Sequence, residues 1–590
     1  MTRFAIFIEL TDWATGSTPG NYHSILDNDA RIIHSTLNSQ VLIDGDTPYI
    51  KAKDGDILIL GELFKNSHGR IKRLTNLSSE EVDEIIKTKG RCVTSNYFGS
   101  YVLLINSKLC SERIVLRDPL GGIPVYYHKN SERVVLFSDL KFAQKGLPKK
   151  LTLDREYIGR YLFSVREMSN DTGFSEIKRL SGGESLTINS NQISSNQYWN
   201  PCDFARRPWR FDQVETESHL KNAAVDTIVS QVNDDDRIML RLSGGFDSSL
   251  IGAVVAKYVS PLKIIGYNYY LKKSRASDER KYAEILCQEN GINLEYRELD
   301  PFRFNILDAK QYLESPVPSA LYIAGSSWRD SIDVAQRHGC NCIWDGHGGD
   351  QVFYAYQFNH IINDYIRANG VTRNLPDIIN NAAKLSNRTI PLAIRDAWQN
   401  RNNRGMSFIK NDLAMDKKNW ASDKVMQSWN NGGKIRIPFE SEDIPLGKAV
   451  QIFGILWRQL WNFPIANAKI PLRHPIINQQ LVELCLQIPS YMHAAGGESR
   501  GAIRAATKGI VPQAITNRFW KGTTELPTIG WFHSPAVQSY LLDGILVDFG
   551  FIDRGRLKEI FAEAQPFRVK QQILETLQLE IWLKSVCTWY

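Results

Sequence analysis

Residues 237–258, RIMLRLSGGFDSSLIGAVVAKY, form the stretch that decides the fold of this chain. Its first part, which includes Ile238 and Leu240, is apolar enough for a short buried strand, and apolar side chains recur at helical spacing from Leu250 onward. The loop SGGFDS lies between them. A glycine-rich loop between a strand and a helix directs backbone N–H groups at an anion, which the helix dipole also favours. The stretch therefore predicts an α/β domain with a phosphate-binding loop.

Each side chain of this loop suits a nucleotide. Ser243 and Ser248 add hydroxyl donors, while Gly244 and Gly245 let the backbone approach a phosphate closely. A carboxylate repels phosphate, so Asp247 makes sense as a ligand of a Mg2+ ion that accompanies the phosphates. The lysine of a Walker A loop is missing. The alternative is an ordinary glycine turn between a strand and a helix.

Composition narrows the class of protein. At 590 residues the chain is too long for one hydrophobic core, so we expect two or more domains. Its hydrophobic content of 43% is typical of globular proteins, and its net charge of +7 comes without a dense basic tract. No apolar run reaches the roughly 20 residues of a membrane span, no signal peptide is evident, and the cysteines are scattered. We expect a cytoplasmic protein whose partners include neither nucleic acid nor a membrane.

Two domains are predicted, with a boundary between residues 205 and 206. In residues 1–205, short apolar segments separated by Gly, Asn, Asp and Ser turns indicate an antiparallel β-sandwich of the α+β class. In residues 206–590, helices and strands alternate, which is typical of an α/β domain with a parallel sheet. Within the second domain, residues 361–446 contain Trp398, Trp420 and Trp429, which indicate either a peptide-binding surface or core packing.

Several strings in the first domain resemble the glutaminase domain of class II amidotransferases, as fused to asparagine synthetases. Residues 117–127, RDPLGGIPVYY, are similar to the R-D-x-x-G-x-x-P-L-Y-Y turn of that family, and residues 137–141 are similar to its F-S-S-E-x-K string. The resemblance implies a cysteine nucleophile after the initiator Met and an N-G-E string that stabilises the oxyanion. Here the two positions hold Thr2 and the string LGE of residues 60–62. We therefore expect no glutaminase activity and a structural or docking role for this domain.

A second glycine turn, IWDGHGGD at residues 343–350, follows another apolar segment. Together with SGGFDS it resembles the ATP-pyrophosphatase domain of asparagine synthetases and β-lactam synthetases, which form an acyl-adenylate from ATP. The resemblance implies that Asp247 and Asp350 bind Mg2+, and that Lys521 is a catalytic cation at the α-phosphate; the alternative for Lys521 is a surface lysine. It also implies a set of ATP- or pyrophosphate-binding residues: Leu242, Ser243, Gly244, Gly245, Asp247, Ser248, Gly346 and Arg518.

His347 is where the second turn departs from these families. Asparagine synthetases carry Glu at this position, and β-lactam synthetases carry a Tyr that helps to deprotonate the attacking amine. An α-amine has a pKa of about 7.7–8.0, so most of it is protonated at neutral pH and cannot attack. Imidazole, with a pKa of about 6.5, can accept the proton. We therefore predict that His347 is the general base; the alternative is a turn histidine that only hydrogen-bonds its surroundings.

An intact ATP site beside a lost glutaminase nucleophile indicates that the adenylate is attacked by an amine already on the substrate. The chain resembles lasso peptide cyclases (macrolactam synthetases), which use ATP and Mg2+ for this purpose. They activate an Asp or Glu side chain of a core peptide and join it to the N-terminal amine of the same peptide.

The resemblance implies a precursor peptide as substrate, with a leader peptidase and a leader-binding protein as partners. Three alternatives stay open: a β-lactam synthetase-like amide ligase, an ammonia-dependent asparagine synthetase, and a non-catalytic peptide-binding scaffold.

Overall fold

The computed structural model describes residues 2–10, 30–36, 38–45, 47–67, 70–107, 112–190, 192–270, 278–298, 314–319, 325–356, 360–403, 405, 409, 418–431, 439, 443–458, 470–518 and 530–590. The strands of these ranges are β1 (Phe4–Glu9), β2 (Ala30–Ser35), β3 (Ser39–Asp44), β4 (Tyr49–Ala52), β5 (Ile57–Ser67), β6 (Arg70–Leu74), β7 (Tyr97–Ile105), β8 (Arg113–Arg117), β9 (Tyr126–Lys129), β10 (Arg133–Phe137), β11 (Ile177–Arg179), β12 (Glu184–Ile188), β13 (Ile193–Gln197), β14 (Ile238–Arg241), β15 (Ile264–Tyr270), β16 (Asn293–Glu298), β17 (Cys342–Asp345) and β18 (Leu472–Arg473).

The α-helices of the same ranges are α1 (Ser79–Lys87), α2 (Val93–Asn96), α3 (Arg155–Phe163), α4 (Pro201–Ala205), α5 (Gln213–Ser230), α6 (Phe246–Tyr258), α7 (Arg280–Asn290), α8 (Gly325–Arg337), α9 (Gly349–Val352), α10 (His360–Asn369), α11 (Leu375–Leu385), α12 (Ile390–Gln399), α13 (Asp423–Asn430), α14 (Leu446–Arg458), α15 (Gln479–Gln487), α16 (Ser490–His493), α17 (Gly501–Ala506), α18 (Gln513–Thr516), α19 (Pro535–Leu542), α20 (Ile545–Asp548), α21 (Arg554–Ala562) and α22 (Phe567–Ser585). None of these described helices combines the length and the apolar character that crossing a lipid bilayer requires.

The N-terminal part of the chain is a sandwich of two antiparallel sheets. Among the described strands, one sheet has the order β11-β9-β10-β1-β3-β2, and the other has the order β13-β12-β8-β7-β5-β4 with β6 paired to β5. Alternate side chains of each strand point between the sheets, where Ile6 of β1, Leu58 of β5 and Val102 of β7 share one core. The predicted β-sandwich is confirmed.

The second sheet system is parallel and has β14 at its centre. In the described part of the chain its order is β16-β15-β14-β17-β18, and each pair is parallel. Ile238 and Leu240 of β14 lie in the core on one face of this sheet, and Met239 packs with Trp328 on the other face. Burial of both faces explains why the first three residues of β14, Ile238 to Leu240, form an uninterrupted apolar run. The predicted α/β domain is confirmed, while its boundary at residue 206 stays a prediction.

The pairing of β14 with β17 brings the two glycine-rich turns together. The two strands are neighbours, and their last residues, Arg241 and Asp345, are partners in the register. Because the carboxyl ends of parallel strands meet at one edge of a sheet, the turns that follow them lie side by side there. Two motifs that are far apart in the sequence therefore form one site.

The C-terminal helix α22 holds the two domains together. Its Leu577 and Trp582 are fully buried in a core that also contains Phe7 of β1. The indole N–H of Trp582 donates to the carbonyl oxygen of Ser315 at 2.9 Å. A Cβ atom on Gly173 would lie 2.1 Å from the Trp582 ring, so the sandwich approaches the helix as closely as glycine allows. Helix α22 is a core element for both domains.

The three tryptophans of residues 361–446 differ in their surroundings. Trp420 is fully buried, and Trp429 stacks on Phe163 with the ring centroids 4.7 Å apart. Trp398 of α12 is 66% exposed. Two of the three are therefore packing residues, and Trp398 is the one that is accessible to a peptide.

Replacing Trp582 with alanine should lower the free energy of unfolding by about 3–5 kcal/mol, because the change leaves a cavity where the two domains meet. Guanidinium denaturation monitored by circular dichroism measures the loss. Trp398→Ala is the matched control, since it removes an exposed tryptophan and should change stability by less than about 0.5 kcal/mol. Equal effects of the two substitutions would contradict the assignment of α22 to the shared core.

Candidate functional site

The loop SGGFDS is held in shape by its own serines. The Oγ atom of Ser248 accepts the backbone N–H of Ser243 at 3.3 Å and donates to the carbonyl oxygen of Gly245 at 3.4 Å. The Oγ atom of Ser243 accepts the backbone N–H of Gly245 at 3.3 Å. Helix α6 begins at Phe246, and the N–H groups of a first helical turn have no partner within the helix. The loop therefore presents donors to an anion at the carboxyl edge of the sheet.

Gly244 is required at its position by conformation and by space. Its φ of +74° is a left-handed value, and a Cβ atom there would lie 2.7 Å from the carbonyl oxygen of Glu279. Arg518 donates to the carbonyl oxygen of Gly244 at 3.0 Å and pairs with the carboxylate of Glu279. Its guanidinium also lies 4.1 Å from the ring centroid of Tyr282. Arg518 thus braces the loop from the protein side, and its contact with phosphate stays a prediction.

Leu242 and Gly346 determine how the two turns fit together. The Leu242 side chain is buried in the core, and its carbonyl oxygen accepts the Asn268 side-chain amide at 2.7 Å. A Cβ atom on Gly346 would lie 2.5 Å from the backbone nitrogen of Ser248, so the second turn rests directly on the start of α6. Both residues shape the site, and their contact with ATP stays a prediction.

Asp247 and Asp350 meet at the guanidinium of Arg500. The Nε atom of Arg500 is 3.2 Å from Oδ1 of Asp247, and its Nη2 atom pairs with Oδ1 of Asp350. The side chains of Asp247 and Arg500 are 9% and 7% exposed, so their attraction is little screened by water. Arg500 has a φ of +60°, a left-handed conformation that non-glycine residues adopt only where the surroundings impose it. A buried cation therefore offsets the repulsion between the two predicted metal ligands.

The two acids fit a Mg2+ ion that arrives with a nucleotide. In proteins Mg2+ takes one or two carboxylates and completes its shell with water and substrate phosphates. No cluster of three or more His, Cys, Asp and Glu side chains with the geometry of a metal site exists among the described residues. Oδ1 of Asp247 is buried and accepts no hydrogen bond of good geometry, but it lies 3.2 Å from Nε of Arg500, so a bound cation would have to replace that contact. The assignment of the metal ligands stays a prediction.

His347 lies beside a second histidine, His474. The ring centroids of the two are 5.2 Å apart. Both contact Asp345: the backbone N–H of His347 donates to its Oδ1 at 3.0 Å, and Nδ1 of His474 is 2.6 Å from the same oxygen. Burial disfavours the charged form of Asp345, but electrostatic attraction to His474, the hydrogen bond from its ring, and further attraction to His347 and Arg241 outweigh this effect and hold the pKa of Asp345 well below its usual value. The site therefore contains a buried, ionised carboxylate that joins two histidines.

A cavity of about 580 Å³ lies between the two domains and reaches His474. Thr2, Gly61 and Ser100 line it from the sandwich, and Arg473 and His474 line it from the second domain. Its described lining residues include no cysteine. The part of the wall that contains Thr2, where the resemblance implies a thiol nucleophile, therefore has no thiol among its described residues.

Glu62, the last residue of LGE, joins the two domains beside this cavity. Its Oε1 atom is 2.9 Å from Nη2 of Arg473 and 3.1 Å from Nη2 of Arg73. Arg473 also pairs with Asp236 through Nη1, at 2.9 Å. The carboxylate of Glu62 therefore forms ion pairs at the interface between the domains.

Lys521 lies outside the described residues, so its catalytic role stays a prediction. Arg504 supplies positive charge near the loop, because its guanidinium lies 5.0 Å from the ring centroid of Phe246, the first residue of α6. Burial, together with the charge of Arg500, lowers the pKa of Arg504 to about 10. Arg504 is therefore still a cation at neutral pH.

Sequence reasoning missed Arg500, Glu279, Asp345 and His474. For Arg500 a signal existed, since the string RGAIR places two arginines four residues apart, at helical spacing. Glu279 and Arg518 are 239 residues apart, and Asp345 and His474 are 129 residues apart. No local pattern connects such pairs, so they become visible only when the sheet is assembled.

Gly244→Ala should weaken ATP binding at least about tenfold, which corresponds to about 1.4 kcal/mol, because the added methyl group collides with Glu279. Calorimetric titration with ATP and Mg2+ measures the change. Gly370→Ala is the matched control: Gly370 has a similar φ of +71°, but nothing lies within 4 Å of its added Cβ. If both variants bind ATP as the wild type does, the loop does not depend on close packing at Gly244.

Arg500→Ala should cost about 3–5 kcal/mol of stability, because it leaves the buried Asp247 without its cation. Mg2+ should then raise the melting temperature of the variant more than that of the wild type, since the ion replaces the lost charge. Thermal denaturation over a MgCl2 series, with KCl at equal ionic strength as control, measures this difference. The double variant Asp247→Asn/Arg500→Ala tests the metal ligands. If Mg2+ raised its melting temperature as much as that of Arg500→Ala, the proposed metal ligands would be contradicted.

Comparison with known proteins places these features in a family. A family model described as Asparagine synthase matches residues 219–439 and 465–584, and one described as Glutamine amidotransferase domain matches residues 33–199. The glutamine-hydrolyzing asparagine synthetase 3 of Bacillus subtilis (strain 168) is 21% identical over 593 residues, which cover 92% of this chain and 87% of that protein. The glutamine-hydrolyzing asparagine synthetase 1 of the same strain is 20% identical over 453 residues, which cover 71% of this chain and 66% of that protein.

Two solved structures also resemble the chain. An allosteric regulatory enzyme of purine biosynthesis is 13% identical, with 50% of this chain and 74% of that one covered and a TM-score of 0.20. The glutamine phosphoribosylpyrophosphate amidotransferase of Bacillus subtilis is 12% identical, with 58% and 75% covered and the same TM-score of 0.20. Likeness at this level carries no argument about function.

The Asparagine synthase model spans more than half of the chain and includes both glycine turns, the two acids and Arg500. The chain belongs to the asparagine synthase family and is an ATP-dependent carbon–nitrogen ligase that releases AMP and diphosphate.

Proposed function

We propose that this ligase is a lasso peptide cyclase, which activates an Asp or Glu side chain of a core peptide and joins it to the N-terminal amine of the same peptide. The observation that carries this proposal is the cavity between the domains. Its described wall holds Thr2 and no cysteine, and Glu62 beside it is bound to Arg73 and Arg473. Without a thiol to release ammonia from glutamine, the nitrogen has to come from elsewhere, and an amine on the substrate itself supplies it.

The loop residues carry the activation step. The N–H groups at the start of α6 and the hydroxyl groups of Ser243 and Ser248 hold phosphate oxygens, and Arg504 adds positive charge close by. Mg2+, when bound by Asp247 and Asp350, offsets the charge that develops on the departing diphosphate. Arg500 lies between these two acids and is positioned to do the same from the protein side.

The second step is the attack of the amine on the acyl-adenylate. The main contribution of the enzyme to this step is to hold the two reacting groups together. Well-oriented intramolecular reactions reach effective molarities of about 10⁵–10⁸ M, so positioning alone can supply much of the rate. The histidine pair beside the second turn supplies a proton acceptor next to this point; the sequence predicts His347 for this role, and His474 is the other candidate. The exposed Trp398 offers an apolar contact for the part of the peptide outside the site.

A precursor peptide is the substrate, a leader peptidase and a leader-binding protein are the partners, and the cytoplasm is the compartment. Nucleic acid and membranes are not among the partners.

The proposal predicts that purified enzyme, ATP and MgCl2 convert a synthetic linear core peptide, with a free N-terminal amine and an Asp or Glu side chain, to a product that is lighter by one water. AMP and diphosphate should appear in equal amounts, as measured by mass spectrometry and nucleotide chromatography. Replacing the acceptor Asp or Glu of the peptide with Asn or Gln should abolish the product. Asp247→Asn in the enzyme should reduce diphosphate release by about 100-fold or more, because charge stabilisation is lost.

Aspartate with ammonium, and aspartate with glutamine, are the matched control substrates. Asparagine formed from ammonium faster than the peptide is cyclised would identify an ammonia-dependent asparagine synthetase instead. Asparagine formed from glutamine would contradict the loss of glutaminase chemistry. AMP release with neither peptide nor aspartate present would mean that another carboxylate is the substrate.

A further inference from the structure

We propose that His474, oriented by Asp345, accepts the proton of the attacking amine, and that the amine reaches it through the cavity between the domains. This inference rests on the proposed function and names the catalytic base of its second step. Asp345 is a positioning residue in this account, because it acts through His474 and does not touch the substrate.

The hydrogen bond between Asp345 and His474 determines which ring nitrogen is available. Nδ1 of His474 is 2.6 Å from Oδ1 of Asp345. Asp345 is ionised and can only accept, so Nδ1 of the neutral imidazole carries the proton and Nε2 carries a lone pair. A carboxylate at Nδ1 also stabilises the imidazolium that forms when Nε2 takes up a proton. This is the arrangement that a general base requires.

His347 has a different relation to the same carboxylate. Asp345 binds the backbone N–H of His347, at 3.0 Å, but binds the ring of His474. The carboxylate therefore holds the second turn in place through His347 and tunes the imidazole of His474. The ring of His474 therefore has a carboxylate partner at hydrogen-bond distance.

Access also favours His474. It is one of the residues that line the cavity of about 580 Å³, and its side chain is 16% exposed. Pockets of about 300–1,000 Å³ suit small ligands, so the cavity has room for an amine-bearing residue of a peptide but not for a folded peptide. Gly346 follows Asp345 and packs against the backbone of Ser248, so the base lies beside the loop that holds the activated carboxylate.

The charges around His474 come from every side of the site. Asp345 faces it from β17, His347 from the second turn, and Arg241 from the end of β14 acts on the same carboxylate. Arg473, the preceding residue, is neutralised by Glu62 and Asp236 at 2.9 Å each. Asp235 also lines the cavity. The nearby arginine is thus paired, and in the described part of the chain Asp345 is the charged group that hydrogen-bonds to the His474 ring.

The chemical step balances without a further reactant. The lone pair of the neutral amine forms the C–N bond to the carbonyl carbon of the acyl-adenylate. The bond between that carbon and the phosphate oxygen breaks, and its electron pair leaves with AMP. One proton passes from the nitrogen to Nε2 of His474 and is later lost to solvent. The products are the amide, AMP and a proton.

The test compares the two half-reactions in His474→Gln. ATP–diphosphate exchange and trapping by hydroxylamine, measured with the N-acetylated core peptide, report adenylation, because this peptide lacks the amine. Cyclisation of the free core peptide reports the second step. We expect the loss of cyclisation to exceed any loss of adenylation by about 100-fold, as removal of a general base does.

The pH profile separates a proton acceptor from a structural residue. In the wild type, kcat for cyclisation should fall at low pH, as expected where a histidine has to accept a proton. Asp345→Asn removes the charge that stabilises the imidazolium, so it should move this acidic limb to lower pH as well as lower kcat. His338→Gln is the matched control, because His338 forms another histidine–carboxylate pair, with Glu295, at the opposite end of β17; it should leave cyclisation unchanged.

The outcomes distinguish this inference from the proposed function. If the wild type gives neither diphosphate exchange nor hydroxamate, the proposed function is wrong. If the wild type cyclises the peptide but His474→Gln cyclises it equally fast, or loses both half-reactions equally, only the assignment of His474 is wrong. Should His474→Gln fail to fold, an unshifted acidic limb in Asp345→Asn overturns the assignment.

Discussion

The parallel pairing of β14 with β17 is the contact on which the rest of the site depends. It is made by backbone hydrogen bonds between two short buried strands, and it sets Arg241 opposite Asp345. The two glycine turns begin where these strands end, so the pairing determines the distance between their side chains. The fit leaves little freedom, because a Cβ on Gly346 would strike the Ser248 backbone and one on Gly349 would lie 2.3 Å from the Asp247 carboxylate carbon. The ATP loop and the acidic turn therefore act as one rigid unit.

Buried charge is arranged around this unit in matched sets. Arg500 lies between Asp247 and Asp350, and Arg518 joins Glu279 to the loop backbone. Isolated ions are costly to remove from water, whereas ions with partners and hydrogen bonds are tolerated. Each arginine therefore places a positive charge next to a carboxylate where water is scarce. A ligand that carries phosphates and a divalent cation enters a site whose charges are already balanced, and it must exchange partners with the protein.

The sequence predicts the parts of the molecule that are encoded locally. The strand, loop and helix of residues 237–258 follow from apolar spacing and two glycines, and alternating segments indicate the sandwich. Asp247 and Asp350 stand in recognisable turns, so their proximity could be expected from a resemblance. Contacts between distant residues follow from assembly of the sheet, and His474 has no signal of its own. Trp398 and Trp420 look alike in the sequence, but tertiary packing buries one and leaves the other exposed.

The ion pair between Glu62 and Arg473 gives the sandwich a structural role that requires no catalytic activity of the sandwich itself. Arg473 immediately precedes His474, and Glu62 reaches it from the other domain. The N-terminal domain thus sets the backbone position of a residue at the ligase centre, and it forms one wall of the cavity beside it. A ligase half expressed alone would lack that wall and that anchor. We therefore interpret the amidotransferase-like domain, which we propose is inactive as a glutaminase, as a scaffold for the site of the neighbouring domain.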